Sequence, residues 1–209
     1  MKLSELYCIQ KTDLERCADV SARAFLLDPA LKYQMGGKTP TYPQLLHYFR
    51  VILQTGFPYY EFYAVSDRIE GVIGLLPPNA SCAPPLEFLI RGGWKLPFTT
   101  DRGLLGRLDK YEAHCLDIRK SVDAMDAWYV MMLAVDPMAQ GKGNGSTLMR
   151  AFLQDMDERQ TACYLETHKL VNTEIYRHFG FTIVNTDTVP DGTDKQYAML
   201  RQPASAHKE

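Results

Sequence analysis

The stretch that decides the fold is VDPMAQGKGNGS, residues 135–146, which connects an apolar run to a predicted helix. It carries glycines at alternate positions, Gly141, Gly143 and Gly145. Glycine permits backbone conformations that turn several N–H groups toward one point, and the first turn of a helix adds unpaired N–H donors and positive potential. A loop of this composition ahead of a helix is typical of a binding site for a phosphate group.

The spacing of the loop separates three kinds of phosphate site. A P-loop places Lys-Ser or Lys-Thr after its last glycine, whereas Lys142 stands between glycines, so this interpretation is excluded. A dinucleotide fingerprint has the pattern G-x-G-x-x-G. Counted from Gly141, Ser146 stands where the third glycine belongs, so the match to this fingerprint is weak. The remaining pattern is Q-x-x-G-x-G after Val-Asp-Pro, which favours a metal-free pyrophosphate site with Lys142 at its rim. An ordinary glycine-rich turn is the structural alternative.

The composition limits the class of protein. The chain has 209 residues, of which 46% are hydrophobic and 23% charged, which predicts one domain over residues 1–209. A formal net charge of −2 without a long run of Lys or Arg indicates no nucleic-acid partner. The longest apolar runs are strand-sized, far below the roughly 20 residues of a membrane helix. The N-terminal residues contain no signal-peptide core, so we expect a cytoplasmic protein without a membrane partner.

Cysteine and histidine spacing gives no metal site. The five cysteines are scattered and include no C-x-x-C pair, which predicts reduced, packed thiols. His168 follows Glu166 at i+2, but two ligands without a third make a poor zinc site. We therefore expect no metal, and we interpret His168 as a solvated loop residue.

Hydrophobic periodicity predicts a mixed α/β sheet. The predicted order is strand, two helices, a hairpin, a helical segment, and then strand, helix, strand, helix, strand, strand. Residues 127–135 form an apolar run typical of a strand covered on both faces. The pattern over residues 86–120 predicts an irregular helical insertion, which is expected to shape the pocket for the acceptor molecule. Residues 203–209 are predicted to form a frayed tail.

Two motifs together resemble the GNAT superfamily of N-acetyltransferases. LAVDPMAQGKGNGS matches the superfamily pattern [RQ]-x-x-G-x-[GA] after a strand that ends in V-x-P, and NTEIYRHFGF, residues 172–181, matches a tyrosine-bearing short helix before Gly-Phe. The resemblance implies a mostly antiparallel sheet of about seven strands, splayed at the coenzyme A site and flanked by helices. WYVMMLAVDP and the tail VPDGTDKQYAMLRQP are similar to puromycin N-acetyltransferase-like proteins.

The resemblance implies an activity and a co-substrate. The protein is expected to transfer the acetyl group of acetyl-CoA to a primary amine of a small molecule by direct attack, as a monomer or homodimer. Acetylation of a protein lysine or N-terminus is one alternative. A non-catalytic sensor or scaffold that binds acyl-CoA is another.

The resemblance also assigns residues to the cofactor. The pantetheine and pyrophosphate of coenzyme A are expected at Leu133, Ala134, Val135, Gln140, Gly141, Lys142, Gly143, Asn144, Gly145, Ser146 and Asn172. Tyr176 is the predicted general acid, since a phenol with a pKa of about 10 can protonate a thiolate whose conjugate acid has a pKa of about 8.5.

The general base has several candidates. Glu166, at the end of a predicted strand, is expected to face the same cleft as Tyr176 and to bind or deprotonate the incoming ammonium. Capping of the next helix or pairing with Lys169 are equally open roles for this carboxylate. Glu112, His114 and a water relay are the remaining candidates.

Overall fold

The structure is a computed structural model that describes residues 1–78, 80, 84–190, 192 and 194–204. Within these residues the chain forms a seven-stranded sheet of order β1-β2-β3-β4-β5-β7-β6. The strands are β1 (Tyr7–Cys8), β2 (Glu61–Ala64), β3 (Gly71–Leu76), β4 (Trp128–Val135), β5 (Cys163–Thr167), β6 (Thr182–Thr188) and β7 (Lys195–Arg201). All neighbours are antiparallel except β4 and β5, which are parallel. The predicted fold class is confirmed.

Helices cover both faces of this sheet. They are α1 (Leu14–Ala24), α2 (Pro29–Gln34), α3 (Tyr42–Gly56), α4 (Pro85–Ile90), α5 (Leu96–Thr99), α6 (Leu104–Ser121), α7 (Asn144–Glu158) and α8 (Leu170–His178). The irregular helical character predicted for residues 86–120 is confirmed in α4, a short 3-10 turn, α5 and α6. Within the described residues, no helix has the length and apolar character needed to cross a membrane.

One helix was not predicted. Two helices were expected before the hairpin, but a third, α2, begins at Pro29. The side chain of Asp28 accepts hydrogen bonds from the N–H groups of Ala30 at 3.0 Å and Leu31 at 3.3 Å. Asp as N-cap followed by Pro in the first turn is a strong start signal for a helix. This pair therefore opens a new helix where the sequence pattern suggested the end of the first.

The two sides of the sheet hold separate apolar cores. Val72 on β3 belongs to the core formed with α1 and α3, whereas the adjacent Ile73 belongs to the core formed with α7. Successive side chains of a strand point to opposite faces, so α7 lies on the face opposite to α1 and α3. On α7, Leu148 and Phe152 are fully buried, as the helical pattern predicts.

Strand β4 contains a bulge at Met131. Gly74 of β3 pairs with Met132, while the next residue, Leu75, pairs with Val130 and leaves Met131 without a partner. The bulge reverses the alternation of side chains: Val130 packs in the α7 core and Met132 in the core on the other face. A Cβ on Gly74 would lie 2.8 Å from a ring atom of Phe62, so glycine is required opposite the bulge.

Beyond the bulge the sheet splits. The parallel strands β4 and β5 pair only from Trp128 with Cys163 to Val130 with Leu165. Further on, β4 continues paired with β3 alone and β5 with β7 alone. A V-shaped slot therefore opens between the two central strands, and residues 131–135 present a backbone edge to it. The predicted splay is confirmed.

The C-terminal segment is held as far as it is described. The N–H group of Ala204 donates to Asp157 Oδ1 at 2.8 Å, and Arg201 on β7 pairs with the same carboxylate at 2.7 Å. The remaining residues of the predicted frayed tail, 205–209, lie outside the described residues, as does Cys82.

Candidate active site

The glycine loop, residues 140–146, follows β4 and a 3-10 turn at Pro137–Ala139. Gly141 has φ of 74° and Gly143 has φ of 84°, values that residues with a Cβ rarely adopt. A Cβ added at either position would have no neighbour within 4 Å. The space in front of the loop is therefore open, and backbone conformation rather than packing explains the two glycines.

The polar side chains of the loop fold back onto its own carbonyls. Gln140 Nε2 donates to Val135 O at 3.2 Å and Lys142 Nζ to Met138 O at 3.2 Å. Asn144 Nδ2 donates to Ala139 O at 2.9 Å. These hydrogen bonds to backbone carbonyl groups hold the conformation of the loop.

The start of α7 is left uncapped. Gly143 is its N-cap residue, and no side chain among the described residues bonds to the cap position. The first-turn N–H groups, at residues 144–146, thus have no intrahelical acceptors. Ser146 is exposed and Gly145 half-buried. The arrangement can bind an anion through backbone donors at the positive end of the helix.

An ion cluster anchors the base of the loop to α1. Asp136 is buried, and its Oδ2 lies 2.9 Å from an Arg23 nitrogen and 3.3 Å from an Arg16 nitrogen. Its Oδ1 accepts from the N–H of Met138 at 3.1 Å. Sequence analysis did not find this anchor, because Arg16 and Asp136 are 120 residues apart.

The residues assigned to pantetheine lie along the slot. Leu133, Ala134 and Val135 belong to the part of β4 that no longer pairs with β5. Asn172 lies in the first turn of α8, and its Nδ2 donates to Thr167 Oγ1 at 3.1 Å. The amide of Asn172 therefore ties α8 to the end of β5, on the other arm of the split.

Tyr176 is half-buried on α8. Its ring packs edge-on to Phe181, with centroids 6.0 Å apart. Burial raises the pKa of Tyr176 to about 12, and the negative charge of Asp28 adds to the effect. Among the described residues no hydrogen bond to the hydroxyl is formed. The phenol therefore keeps its proton throughout the neutral range and is free to donate it.

Glu166 accepts hydrogen bonds from two tyrosines. Tyr164 Oη lies 2.6 Å from one carboxylate oxygen, and Tyr129 Oη lies 3.2 Å from the other. Neither of the alternative roles, a helix cap or an ion pair with Lys169, is found in the described part of the chain. No hydrogen bond joins Glu166 to Tyr176, both of which the structure describes.

His168 differs from the solvated loop residue that was expected. It is half-buried, and its Nε2 lies 3.0 Å from the hydroxyl oxygen of Tyr111 on α6. Burial lowers the pKa of the imidazole. No spacing rule could reveal this pair, because the two residues are 57 positions apart.

The remaining base candidates lie on α6. Glu112 is exposed at the residue level, although burial of part of its side chain, together with Asp109, raises the pKa of its carboxyl. His114 has a buried Nε2 without a partner among the described residues. Neither forms a hydrogen bond with Glu166 or Tyr176 in the described structure.

A cavity of about 200 Å³ lies between the start of α2 and the segment before β7. Asp28, Lys32, Thr39 and Asp194 are among the residues that line it. The charge of Asp28 raises the pKa of Tyr176 and opposes the lowering of the His168 pKa. In the described part of the chain, no three His, Cys, Asp or Glu side chains form a group suited to a metal ion.

Comparison with known proteins relates the centre of the chain to a protein family. Residues 107–183 match the family model of the acetyltransferase (GNAT) domain. The match runs from α6 through β4, the glycine loop, α7, β5 and α8 into β6.

Solved structures share the fold at low sequence identity. A Corynebacterium glutamicum ATCC 13032 protein described as histone acetyltransferase HPA2 and related acetyltransferase has a TM-score of 0.63 and 16% identity, covering 97% of each chain. Arylalkylamine N-acetyltransferase 2 from Aedes aegypti has a TM-score of 0.59 and 15% identity, covering 95% of this chain and 98% of its own. The ribosomal-protein-S18-alanine N-acetyltransferase from Escherichia coli has a TM-score of 0.54 and 12% identity, covering 98% and 96%.

The mostly antiparallel sheet that splits between two parallel strands, beside an uncapped glycine loop, gives the protein the GNAT fold. Residues 107–183 are similar to the acetyltransferase (GNAT) domain of that fold.

Proposed function

We propose that the protein transfers the acetyl group of acetyl-CoA to a primary amine of a small molecule by direct attack. The observation that carries this proposal is the combination of the split sheet with the open glycine loop. Proteins with the GNAT fold use acetyl-CoA as co-substrate. The glycine loop suits its pyrophosphate, and the split in the sheet suits its pantetheine arm. No metal is invoked.

The residues present fit coenzyme A. The positive-φ glycines leave open space at the loop, and the first turn of α7 offers N–H groups with no competing side chain. We assign the pyrophosphate to the backbone of residues 140–146 and the pantetheine to the free edge of Leu133, Ala134 and Val135, with Asn172 beside it. When bound, acetyl-CoA supplies a thioester carbonyl as the electrophile.

We propose a supporting role for three side chains of the loop. Since Gln140, Lys142 and Asn144 donate to carbonyls of the loop, we propose that they shape the site, while the backbone contacts the phosphates. Lys142 is exposed, so its charge also raises the local positive potential at the rim.

Tyr176 is the proposed general acid, because its hydroxyl is protonated and unengaged beside the slot. Glu166 is proposed to attract the ammonium group of the acceptor as a fixed negative charge on the same side as α6. Glu112 and His114 stay second choices for a catalytic role.

A small acceptor is favoured over a protein by the cavity between Asp28 and Asp194. Its volume of about 200 Å³ is on the scale of a small organic amine. The resemblance of WYVMMLAVDP and the C-terminal tail to puromycin N-acetyltransferase-like proteins, which rests on these motifs alone, is consistent with a small-molecule acceptor. The named acceptors of the structural neighbours include a histone, a ribosomal protein and arylalkylamines, so they do not select a substrate.

A thiol-release assay tests the proposal. Acetyl-CoA is incubated with the protein and a panel that contains puromycin, aryl and alkyl amines, diamines, lysine peptides and peptides with free N-termini. Release of coenzyme A with a small amine, and a product heavier by one acetyl group, is the expected result. Turnover of peptides alone would favour the protein acetyltransferase, and tight coenzyme A binding without turnover would favour the sensor.

The same preparation tests the assembly. We propose that residues 1–209 act as one domain and as a monomer or homodimer. Light scattering of the eluted protein, with and without coenzyme A, measures the mass directly, and a larger assembly would contradict the proposal.

A further inference from the structure

A chain of buried polar groups lies where α6 covers the sheet, next to the split between β4 and β5. At its centre, Tyr111 Oη lies 3.0 Å from His168 Nε2, with ring centroids 5.9 Å apart. His168 continues the alternation of Tyr164 and Glu166 along β5, so all three are placed on one face. Pairing with β4 ends at Leu165, and the Tyr111–His168 pair therefore stands just beyond the apex of the split.

Carboxylates surround His168 from three elements. Burial is the largest influence and lowers the pKa of His168, while Asp28 before α2, Glu166 on β5 and Asp194 before β7 act in the opposite direction. The imidazole is thus neutral at neutral pH but lies in a field that favours a positive charge. Asp28 also raises the pKa of Tyr176, so Tyr176 and His168 share this carboxylate as an electrostatic neighbour.

Polar atoms without partners lie around the pair. Gln196 on β7 is fully buried, and its Nε2 donates to Cys115 Sγ on α6 at 3.4 Å. Its Oε1 has no hydrogen-bond partner of good geometry among the described residues, although the amide lies next to His168. Tyr33, with a ring centroid 6.2 Å from that of Tyr111, also has a buried hydroxyl without a partner there. Since buried polar atoms are nearly always hydrogen-bonded, these atoms point to a polar ligand in the same space.

We propose that Tyr111 and His168 form the dyad that removes the proton from the ammonium group of the acceptor, an inference that rests on the proposed function. The ammonium proton moves to Tyr111 Oη as the hydroxyl proton of Tyr111 moves to His168 Nε2. The amine keeps its lone pair for the acetyl carbonyl. The imidazolium formed at His168 later releases its proton to solvent, which restores the starting state.

Glu166 is a positioning residue in this scheme. Both of its oxygens are engaged by the hydroxyls of Tyr164 and Tyr129, at 2.6 Å and 3.2 Å. The carboxylate is therefore held against the sheet, where its charge stabilises the imidazolium of His168. Tyr111, by contrast, contacts His168 and Cys115, and the buried polar atoms of Gln196 and Tyr33 lie close to this pair.

The test compares His168→Gln, Tyr111→Phe and the double variant, with an amine that the wild type acetylates. We expect each single change to lower kcat by about 100-fold, with the KM for acetyl-CoA kept within about twofold. In each single variant, log kcat should rise with a slope of about one per pH unit and without a plateau, because solvent must deprotonate the amine. The double variant should be no slower than either single variant, because the two residues act as one relay.

Two measurements separate catalysis from structure. His178→Gln removes an exposed histidine of α8 whose Nδ1 contacts Glu174 O, and it should leave kcat and the pH profile unchanged. Nitrogen-15 NMR of the imidazole should show His168 neutral at pH 7 with Nε2 unprotonated, and Tyr111→Phe should shift this signal. A protonated Nε2 in the neutral ring would overturn the dyad.

The outcomes distinguish this inference from the proposed function. A wild type that acetylates no amine overturns both. An active wild type whose His168→Gln variant keeps the wild-type kcat and the wild-type pH profile overturns the dyad alone. A pH profile without a plateau in Glu166→Gln, with the wild-type profile kept in His168→Gln, would transfer the base role to Glu166 and also overturn the dyad.

Discussion

At the residue scale, Tyr176 combines a buried ring with an unengaged hydroxyl. Its pKa of about 12 keeps the phenol protonated far above neutral pH. We expect Tyr176→Phe to lower kcat by about 100-fold and to leave coenzyme A binding unchanged, because the ring that packs on Phe181 is retained. Steady-state kinetics and calorimetric titration with coenzyme A measure the two quantities.

Tyr42→Phe is the matched control for this prediction. Tyr42 is exposed and donates to Asp19 Oδ1 at 2.8 Å, away from the split. Its variant should keep the wild-type kcat. Full activity of Tyr176→Phe between pH 8 and 10 would show that the phenol is not the acid.

Gly141 is the second residue whose role is testable. Its φ of 74° makes Gly141→Ala strained, which should cost about 1 kcal/mol of folding stability. The added methyl group would occupy the open approach to the loop, so the Kd for coenzyme A should rise at least about tenfold. Thermal unfolding and calorimetry of the same samples separate the two effects.

Gly106→Ala provides the comparison. Gly106 lies inside α6 without a positive φ, and a Cβ there meets nothing within 4 Å. Alanine should stabilise this helix by about 0.5–1 kcal/mol and leave the Kd unchanged. An unchanged Kd in Gly141→Ala would remove the loop from the binding site.

At the element scale, a negative charge at the uncapped start of α7 should stabilise the folded protein but weaken the binding of coenzyme A. Ser146 is exposed in the first turn. A negative charge there favours the helix dipole, so Ser146→Asp should stabilise the protein by about 0.3–1 kcal/mol. The same charge repels a pyrophosphate and should weaken coenzyme A binding, more strongly at low salt.

Ser146→Asn keeps the size and polarity of the aspartate without the charge. It should bind coenzyme A nearly as well as the wild type at every ionic strength. Urea unfolding and binding titrations at two salt concentrations measure both effects. Tighter binding by Ser146→Asp would contradict an anion site at this helix start.

Strand β4 shows what sequence periodicity could and could not predict at this scale. The apolar run predicted the strand within one residue of its observed start. The bulge at Met131 was not predicted, because every residue near it is apolar and no alternation marks the reversal. Its register depends on Gly74 of the neighbouring strand, which approaches Phe62 too closely for any side chain.

At the scale of the whole molecule, many thiols and phenols are buried. Burial raises the pKa of Cys17 and of Cys163 to about 12, and that of Tyr176 to about 12. Burial also raises the pKa values of Tyr48, Tyr63, Tyr111, Tyr129, Tyr164 and Cys115. Above the usual pKa values of these groups, the native state holds protons that the unfolded chain has lost.

Stability should therefore fall as pH rises through the alkaline range. Each such group lowers the free energy of unfolding by about 1.4 kcal/mol per pH unit between its unfolded and folded pKa. Urea unfolding under reducing conditions should show a loss of several kcal/mol from pH 8 to pH 10.5. Replacing Cys17 and Cys163 by alanine should flatten this slope, and equal stability at both pH values would refute the explanation.

The sequence by itself determined the fold class, the glycine loop and the pairing of that loop with the Tyr176 helix. These features are local: glycine spacing, a helix start and the apolar run before it are properties of neighbouring residues, and chain order places them together. The helix missed at Pro29 was also local, since Asp28 is a strong N-cap.

Only the tertiary structure decided which side chains meet. Asp136 joins Arg16 and Arg23 of α1, Glu166 joins Tyr129, and His168 joins Tyr111. The partners in these contacts are separated by 37 to 120 residues. A hydrogen bond depends on a few tenths of an ångström and on direction, which are set by how helices pack on the sheet. For that physical reason, the glycine loop and the Tyr176 helix could be recognised from the sequence, whereas the Tyr111–His168 contact required the fold.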